Sequence, residues 1–408
     1  MNAIAVSDEK KVCAASLTAL LGLLSSFAPF SIDMYLTAFP AIASELGVDL
    51  GAVQLTLSVF FIGLALGQPL YGPIIDRYGR RGPLLAGMAL YAAASLGLAF
   101  VADIRLFILL RLVQAVGGCA GMVVGRAVVQ DIFDLSGAAR MFSMMAAVQA
   151  IGPIAAPLLG SYVVAYLGWR SIFALLFLLG AASFAAVLLL LPESLPPEKR
   201  LAQKPREIAA TFASLLRDGN FMLPCLAGGM AGAAMFAFIG GSPFVFMTMY
   251  GHSETGYGWL FAAIAVGMGL AGQSGGWLLA RSTPRRLLTR GIAVSAVFSG
   301  ILFILTLATG LPPFALFFAP LLLSLAACPI VIANSQALAM AESGPNAGCA
   351  SSLVGLAFFG LGGLVVAVTG LLHDGTALPM TGMLFLCGIA GLALAAIGNR
   401  REKGRLRD

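Results

Sequence analysis

Asp33 and Arg111 are the two residues whose chemistry is out of keeping with their surroundings. Each lies inside an apolar run, Asp33 in the first and Arg111 in the fourth. A charge at the centre of a bilayer costs roughly 2.5–3.5 kcal/mol on insertion scales. A chain that keeps one there has a use for it. A carboxyl group can take up and release a proton, and a guanidinium can supply a fixed positive charge. The first run travels outward and ends near Pro40, seven residues after Asp33. The fourth travels inward from about Arg105, six residues before Arg111. At about 1.5 Å per residue, both side chains lie roughly 10 Å below the outer face. Equal depth on two helices of one half predicts facing partners in a polar cavity. A structural bridge between the two helices is one reading. Buried ion pairs contribute little to stability, so a functional pair is favoured, with Asp33 as proton carrier. Gln114, one turn from Arg111, is placed to hydrogen-bond either partner, and Met122 continues that helix face.

The elements that must position these groups are helices in lipid. Apolar residues make up 60% of the 408 and charged residues 10%, against roughly 45–50% and 25% in a soluble domain. Twelve runs approach the ~20 residues needed to span a bilayer. They fall at about 14–39, 52–75, 83–101, 104–129, 138–166, 169–191, 220–250, 256–280, 286–309, 312–340, 346–372 and 378–398. The longest polar segment separates the sixth from the seventh. The expected fold class is therefore an all-α membrane protein of twelve transmembrane helices. Its expected parts are an N-terminal six-helix bundle (1–191), a cytoplasmic linker (192–219) and a C-terminal six-helix bundle with a basic tail (220–408). Ile208–Leu216 reads as a short amphipathic helix on the membrane surface. With the N-terminus inside, 21 Lys and Arg fall on the inner side and two, Arg105 and Arg170, on the outer. That bias predicts cytoplasmic termini. The net charge of +6 is then an orientation signal, and no nucleic-acid partner is expected. The scattered cysteines and two histidines make no metal-ligand spacing. No Walker or HExxH pattern occurs, so neither an enzyme nor an ATP-driven pump is expected.

Between the second and third runs lies GQPLYGPIIDRYGRR, residues 67–81. Its tip is too charged for lipid, and Gly79 suits a turn that needs positive φ. A shift of 205 positions lays Gly272-Gln273 on Gly67-Gln68 and Arg285-Arg286 on Arg80-Arg81. Two copies of one half are implied. The first kept its acid, Asp76, where the second has Arg281.

Gly72, Asp76, Arg77, Gly79, Arg80 and Arg81 fill the pattern G-x-x-x-D-R/K-x-G-R/K-R/K, which resembles the signature loop of the major facilitator superfamily. Arg111-Leu112-Val113-Gln114-Ala115-Val116-Gly117 is similar to its fourth-span motif. Gly152, Pro153, Pro157 and Gly160 fit the fifth-span G-P-x-x-G/A-P-x-x-G pattern of its drug:proton antiporters. Residues 31–40 and the Glu193-to-Glu198 linker are similar to the Bcr/CflA subfamily of bicyclomycin, sulfonamide and chloramphenicol exporters. The resemblance implies a monomer in the bacterial inner membrane that exports small drug-like compounds by alternating access, with protons as coupling ion and no cofactor. It implies a gate in which Arg80 pairs with Asp131 and Asp76 faces the start of the eleventh span near Asn346. Thr37 stands where the subfamily often has Pro, which implies a straighter outer end of the first span. Some related exporters carry a second acid where this chain has Ser25, so one proton-carrying acid is expected. The cavity-lining candidates are Tyr35, Phe61, Gln114, Met122, Gln149, Phe236, Phe238, Asn334, Gln336 and Phe358. Asn334 and Gln336 lead, because amides in lipid need partners. Export of an endogenous amino acid or short peptide is the alternative.

Overall fold

The structure, a computed structural model, describes residues 20–24, 27–200 and 205–405. After a helical stretch at 20–24 come α1 (Phe27–Leu36), α2 (Phe39–Leu46), α3 (Leu50–Tyr78), α4 (Arg81–Phe100), α5 (Ile104–Ile132), α6 (Leu135–Leu167) and α7 (Arg170–Leu190). Beyond the linker follow α8 (Pro205–Arg217), α9 (Gly219–Pro243, continued as a π-turn over Phe244–Met249), α10 (Glu254–Leu279), α11 (Pro284–Thr309), α12 (Phe314–Ala341), α13 (Ala347–Leu371) and α14 (Leu378–Arg405). Eleven helices among the described residues are long and apolar enough to cross a bilayer. The first expected run is seen only in its later part. Lys10, Lys11, Cys13, Ser25, Lys204 and Arg407 lie outside the described residues.

Helix ends are set by side chains that accept free N–H groups, the ordinary way to start a helix. Asp49 accepts from the amide of Ala52 (2.6 Å), Asp134 from Gly137 (2.8 Å) and Asp218 from Asn220 (2.9 Å). The straighter outer end implied by Thr37 is not found. The chain turns at Thr37–Ala38 without a proline, and the Thr37 hydroxyl donates to the Met34 carbonyl (2.9 Å). Within the linker, α8 is wider than expected by a few residues. It lays Phe212 and Leu215 on the start of α9, the end of α12 and the start of α13.

The packing repeats with the sequence. In the first half α3 and α4 both pack on α5, and α4 packs on α7. The 205-residue shift carries these onto α10 and α11 on α12, and α11 on α14, which are also packed pairs. The halves meet along α3 with α13 and along α6 with α10. The same shift exchanges those two contacts. Both are close at the end of the molecule away from the Gly67–Arg81 loop. A Cβ on Gly51 would stand 2.6 Å from the Gly370 carbonyl oxygen, so α3 and α13 touch there backbone to backbone.

Candidate functional site

Between the halves lies a cavity of about 420 Å³. Ala28, Pro29, Ile32 and Asp33 of α1 form one wall, at helical spacing. The α5, α6 and α12 helices add Met122, Gln149, Ala150, Pro153 and Pro329. The α9 segment Met235–Ile239 contributes Met235, Phe236, Phe238 and Ile239, and α13 contributes Phe358 and Phe359. Phe261, Ile264, Ala265, Met268, Gly269 and Gly272 of α10 complete it. Aromatic and methionine side chains of this kind accept varied apolar shapes. Asp33 is the only ionisable residue in the lining. Among the described residues its carboxylate has neither hydrogen bond nor ion pair.

Arg111 is elsewhere, and the expected Asp33–Arg111 pair is not formed. The Arg111 guanidinium is fully buried inside the first half. It donates to the Ser31 carbonyl (3.1 Å) and to Gln114 Oε1 (2.7 Å), and lies over the rings of Phe60 (4.1 Å) and Tyr35 (4.5 Å). The two residues share one level of the bundle, but they do not face each other. At 100° per residue, Asp33 is two residues and about 200° from Ser31, on the opposite face of α1. Ser31 and Tyr35 share the face turned to Arg111. Tyr35 for that reason leaves the cavity: its hydroxyl meets Thr56 (2.5 Å) and its ring packs on Phe39, Phe107 and Phe173. Gln114 is also inside the bundle, accepting from Arg111 and donating to Ser95 (2.8 Å).

Met122, Gln149, Phe236, Phe238 and Phe358 are brought together at the cavity. Phe61 sits just behind, its ring 4.1 Å from that of Phe236. Asn334 and Gln336 are not in the wall. Asn334 satisfies its amide within α12 by donating to the Ile330 carbonyl (2.8 Å), and Gln336 is exposed. Pro29, Met235, Phe261, Met268 and Phe359 were missed. Met235 and Phe359 each adjoin a phenylalanine that was named, and that adjacency was the available signal.

Beyond the cavity, towards α2, the halves are bolted together. Gln54 Nε2 donates to the Gly240 carbonyl (2.7 Å) and the Ser58 hydroxyl to the Gly363 carbonyl (2.6 Å). Towards the loop the cavity opens between α6 and α10, where Gln149, Ala150 and Gly269 are exposed. Pro153 and Pro157 lie within α6. Gly152 packs against Pro29, and a Cβ on Gly160 would stand 2.5 Å from the Met34 carbonyl oxygen. The small residues of this motif let α6 lie directly on α1.

The loop itself is a charge network. Arg80 donates to Asp131 (2.9 Å) and Asp76 (2.6 Å). Partial burial works against its charge, but these hydrogen bonds outweigh burial and hold its pKa above the ordinary arginine value. Gly79 has φ +90°, a conformation that favours glycine. The turn points the amides of Arg80 and Arg81 at the Glu193 carboxylate (2.8 and 3.3 Å). The sequence places Glu193 only in the linker; the structure makes it the cap of α4. Arg81 also donates to the Leu188 carbonyl (2.6 Å), and Arg77 lies over Tyr78. Gly72 and Asp76 share a second, polar cavity of about 500 Å³ with Asn346 and the start of α13.

Paired helical halves around a central cavity open at one end define a membrane transporter, and no enzyme chemistry is needed to explain the buried charges. Residues 21–367 match the Major Facilitator Superfamily. The chain belongs to that superfamily and is a multi-pass protein of the bacterial inner membrane. It is 32% identical over 394 residues to the "Uncharacterized MFS-type transporter YdgK" of Bacillus subtilis, covering 95% of this chain and 96% of that one. It is 29% identical over 388 residues to the bicyclomycin resistance protein homolog of Haemophilus influenzae, covering 94% and 96%. The structure of a bacterial homologue of the human lysosomal transporter Spinster, inward-facing and occupied, has the same fold. Its TM-score is 0.74 at 14% identity, over 96% of this chain and 98% of that one.

Proposed function

We propose that the protein exports small, mostly apolar drug-like compounds across the inner membrane in exchange for protons, with Asp33 as the carrier. The observation that carries this reading is the lone carboxylate, without a counter-ion among the described residues, on the wall of an apolar cavity. Such an anion is costly to keep, so a proton or a bound cargo changes its energy strongly. Relatives named for bicyclomycin and chloramphenicol resistance support the substrate class. Twelve spans and cytoplasmic termini belong to the same proposal. On that orientation the open end faces the cytoplasm and the Gln54 and Ser58 contacts close the outer side.

The cycle then runs as follows. Cargo enters from the cytoplasm while Asp33 is ionised. The halves rock about the cavity and expose it outward. Protonation of Asp33 weakens cargo binding, and the neutral carrier resets. One proton crossing 100 mV supplies about 2.3 kcal/mol before any pH gradient. Export of an amino acid or peptide is less well supported. A free carboxylate on the cargo needs a cation, and the lining has none. The test is drug movement driven by an imposed pH gradient in proteoliposomes. Asp33→Asn should abolish uphill transport while leaving downhill exchange. Uphill transport at the wild-type rate would remove Asp33 from the coupling.

A further inference from the structure

The second copy of the loop has lost the network that occupies the first. In the first copy Asp76, Asp131 and Glu193 bind Arg80 and the start of α4. In the second, Arg285 takes the place of Arg80 and pairs with Glu402 of α14 (2.6 Å). No other ion pair forms there among the described residues. The inner ends of α11, α12 and α14 enclose a cavity of about 680 Å³, lined by Arg285, Arg286, Arg290, Thr289, Asn399 and Glu402, among others. Three arginines face one acid. Arg286 and Arg290 are exposed and one turn apart on α11, an unfavourable like-charge spacing. Arg286 also sits in the first turn of α11, where a cation opposes the helix dipole. Neither arrangement helps the isolated protein, and both improve if an anion lies between the two guanidiniums.

The level of this cavity in the membrane identifies the anion. Trp277, one turn before the loop, is 59% exposed and carries Arg281 over its ring at 4.2 Å. An exposed tryptophan of this kind marks the boundary between hydrocarbon and headgroups. Arg286 and Arg290 lie just across the turn that follows it, in the first two turns of α11. Basic pockets between helix ends at this level suit phosphate headgroups, and guanidinium pairs bind phosphate oxygens in bidentate fashion.

We infer that the cavity between the inner ends of α11, α12 and α14 holds the phosphate of an anionic phospholipid through Arg286 and Arg290. In this copy the loop is a lipid anchor for the second half, where the first copy is bonded to its own linker. The inference rests on the membrane location and not on proton coupling or drug export.

The test uses the full-length protein, purified in detergent. Native mass spectrometry would measure binding of phosphatidylglycerol against phosphatidylethanolamine. Arg286→Gln/Arg290→Gln should weaken phosphatidylglycerol binding about thirtyfold, from about fivefold for each arginine near the surface. Arg400→Gln/Arg401→Gln, two basic residues outside the cavity lining, should change it less than about threefold. Arg286→Lys/Arg290→Lys keeps the charge but loses the bidentate fork, and should retain an intermediate affinity while controlling for misfolding. Unchanged binding in the Gln pair overturns the proposal. Equal losses in the Gln pair and the Arg400/Arg401 pair overturn it too, because they reveal only a generally basic surface. Displacement of the lipid by millimolar inorganic phosphate would make the site one for free phosphate and overturn the lipid assignment.

Discussion

On the proposed cycle, the contacts that close the α2 end make the equilibrium between the two open states adjustable by small changes. Gln54 Nε2 to the Gly240 carbonyl and the Ser58 hydroxyl to the Gly363 carbonyl both join α3 to the second half, and all four residues are buried or partly buried. They exist only while that end is closed. Side-chain hydrogen bonds inside membrane proteins are worth about 0.6 kcal/mol on average, and those in proteins generally about 1 kcal/mol. Gln54→Leu with Ser58→Ala should therefore shift the equilibrium by about 1.2–2 kcal/mol, roughly 8- to 30-fold, towards the state open at the α2 end. A shift of that size is measurable if the starting ratio lies within a few hundred to one. Spin labels at Arg140 and Arg281, both exposed at the open end, would report it in a background free of other cysteines. The wild type should show one long separation, and the double variant should gain a short one. Phe61 against Phe236 remains in both proteins, so the closed end loses its hydrogen bonds but keeps its apolar contact. A distance distribution identical to wild type, in a variant that still binds drug, would show that these two bonds do not hold the closed state.

Three further outcomes follow from single sites. Gly160→Ala drives a methyl into the Met34 carbonyl; overpacking of this kind costs about 1–3 kcal/mol, so a clear fall in melting temperature is expected, and an unchanged one would mean that α1 and α6 part easily. Arg111→Met removes a buried cation that meets rings and neutral acceptors but no carboxylate; stability should hold or rise while transport is lost, and the opposite pattern would make Arg111 a purely structural group. The Trp169 indole N–H (2.5 Å) and then Arg170 hold Glu45 below its ordinary carboxylate pKa. Its contribution is therefore fully present above pH 4.5 and is lost as pH falls through the lower folded value; Glu45→Gln should flatten that acid limb, worth at most about 1 kcal/mol at so exposed a site.

The linear features of this chain were legible because they depend on composition alone. The fifth run, expected over 138–166, is Leu135–Leu167, and the tenth, expected over 312–340, is Phe314–Ala341. Asp134 caps the start of the fifth run and Asp49 that of the second, where the backbone needs acceptors. The pairing of Arg80 with Asp131 was legible from resemblance, since it links two short motifs of fixed spacing. Rotational features were less so. A helix in lipid is apolar all round, so no polar stripe tells which side faces the cavity. Asp33 and Tyr35 are two residues apart and face opposite ways, and Asn334 turned its amide to its own backbone. The bolt at Gln54 and Ser58 went unnoticed because both are neutral. Their spacing of four, in a largely apolar run, was a usable signal of one polar face.

The separation of Asp33 from Arg111 changes what coupling requires on the proposed cycle. In a salt bridge, a proton arriving at the acid would have to displace a guanidinium, and cargo would compete with both. Here the guanidinium is held behind α1 by the Ser31 carbonyl, Gln114 and two rings, whether or not Asp33 is charged. Its field reaches the cavity only through the helix. The carboxylate in front then has two ways to be relieved, a proton or a cargo that covers it. In the proposed cycle exchange would follow from the competition between them, without a third group changing partners. The arginine supplies a fixed positive potential and a rigid seat for α1, and the acid is left as the one group in the cavity wall whose charge can change.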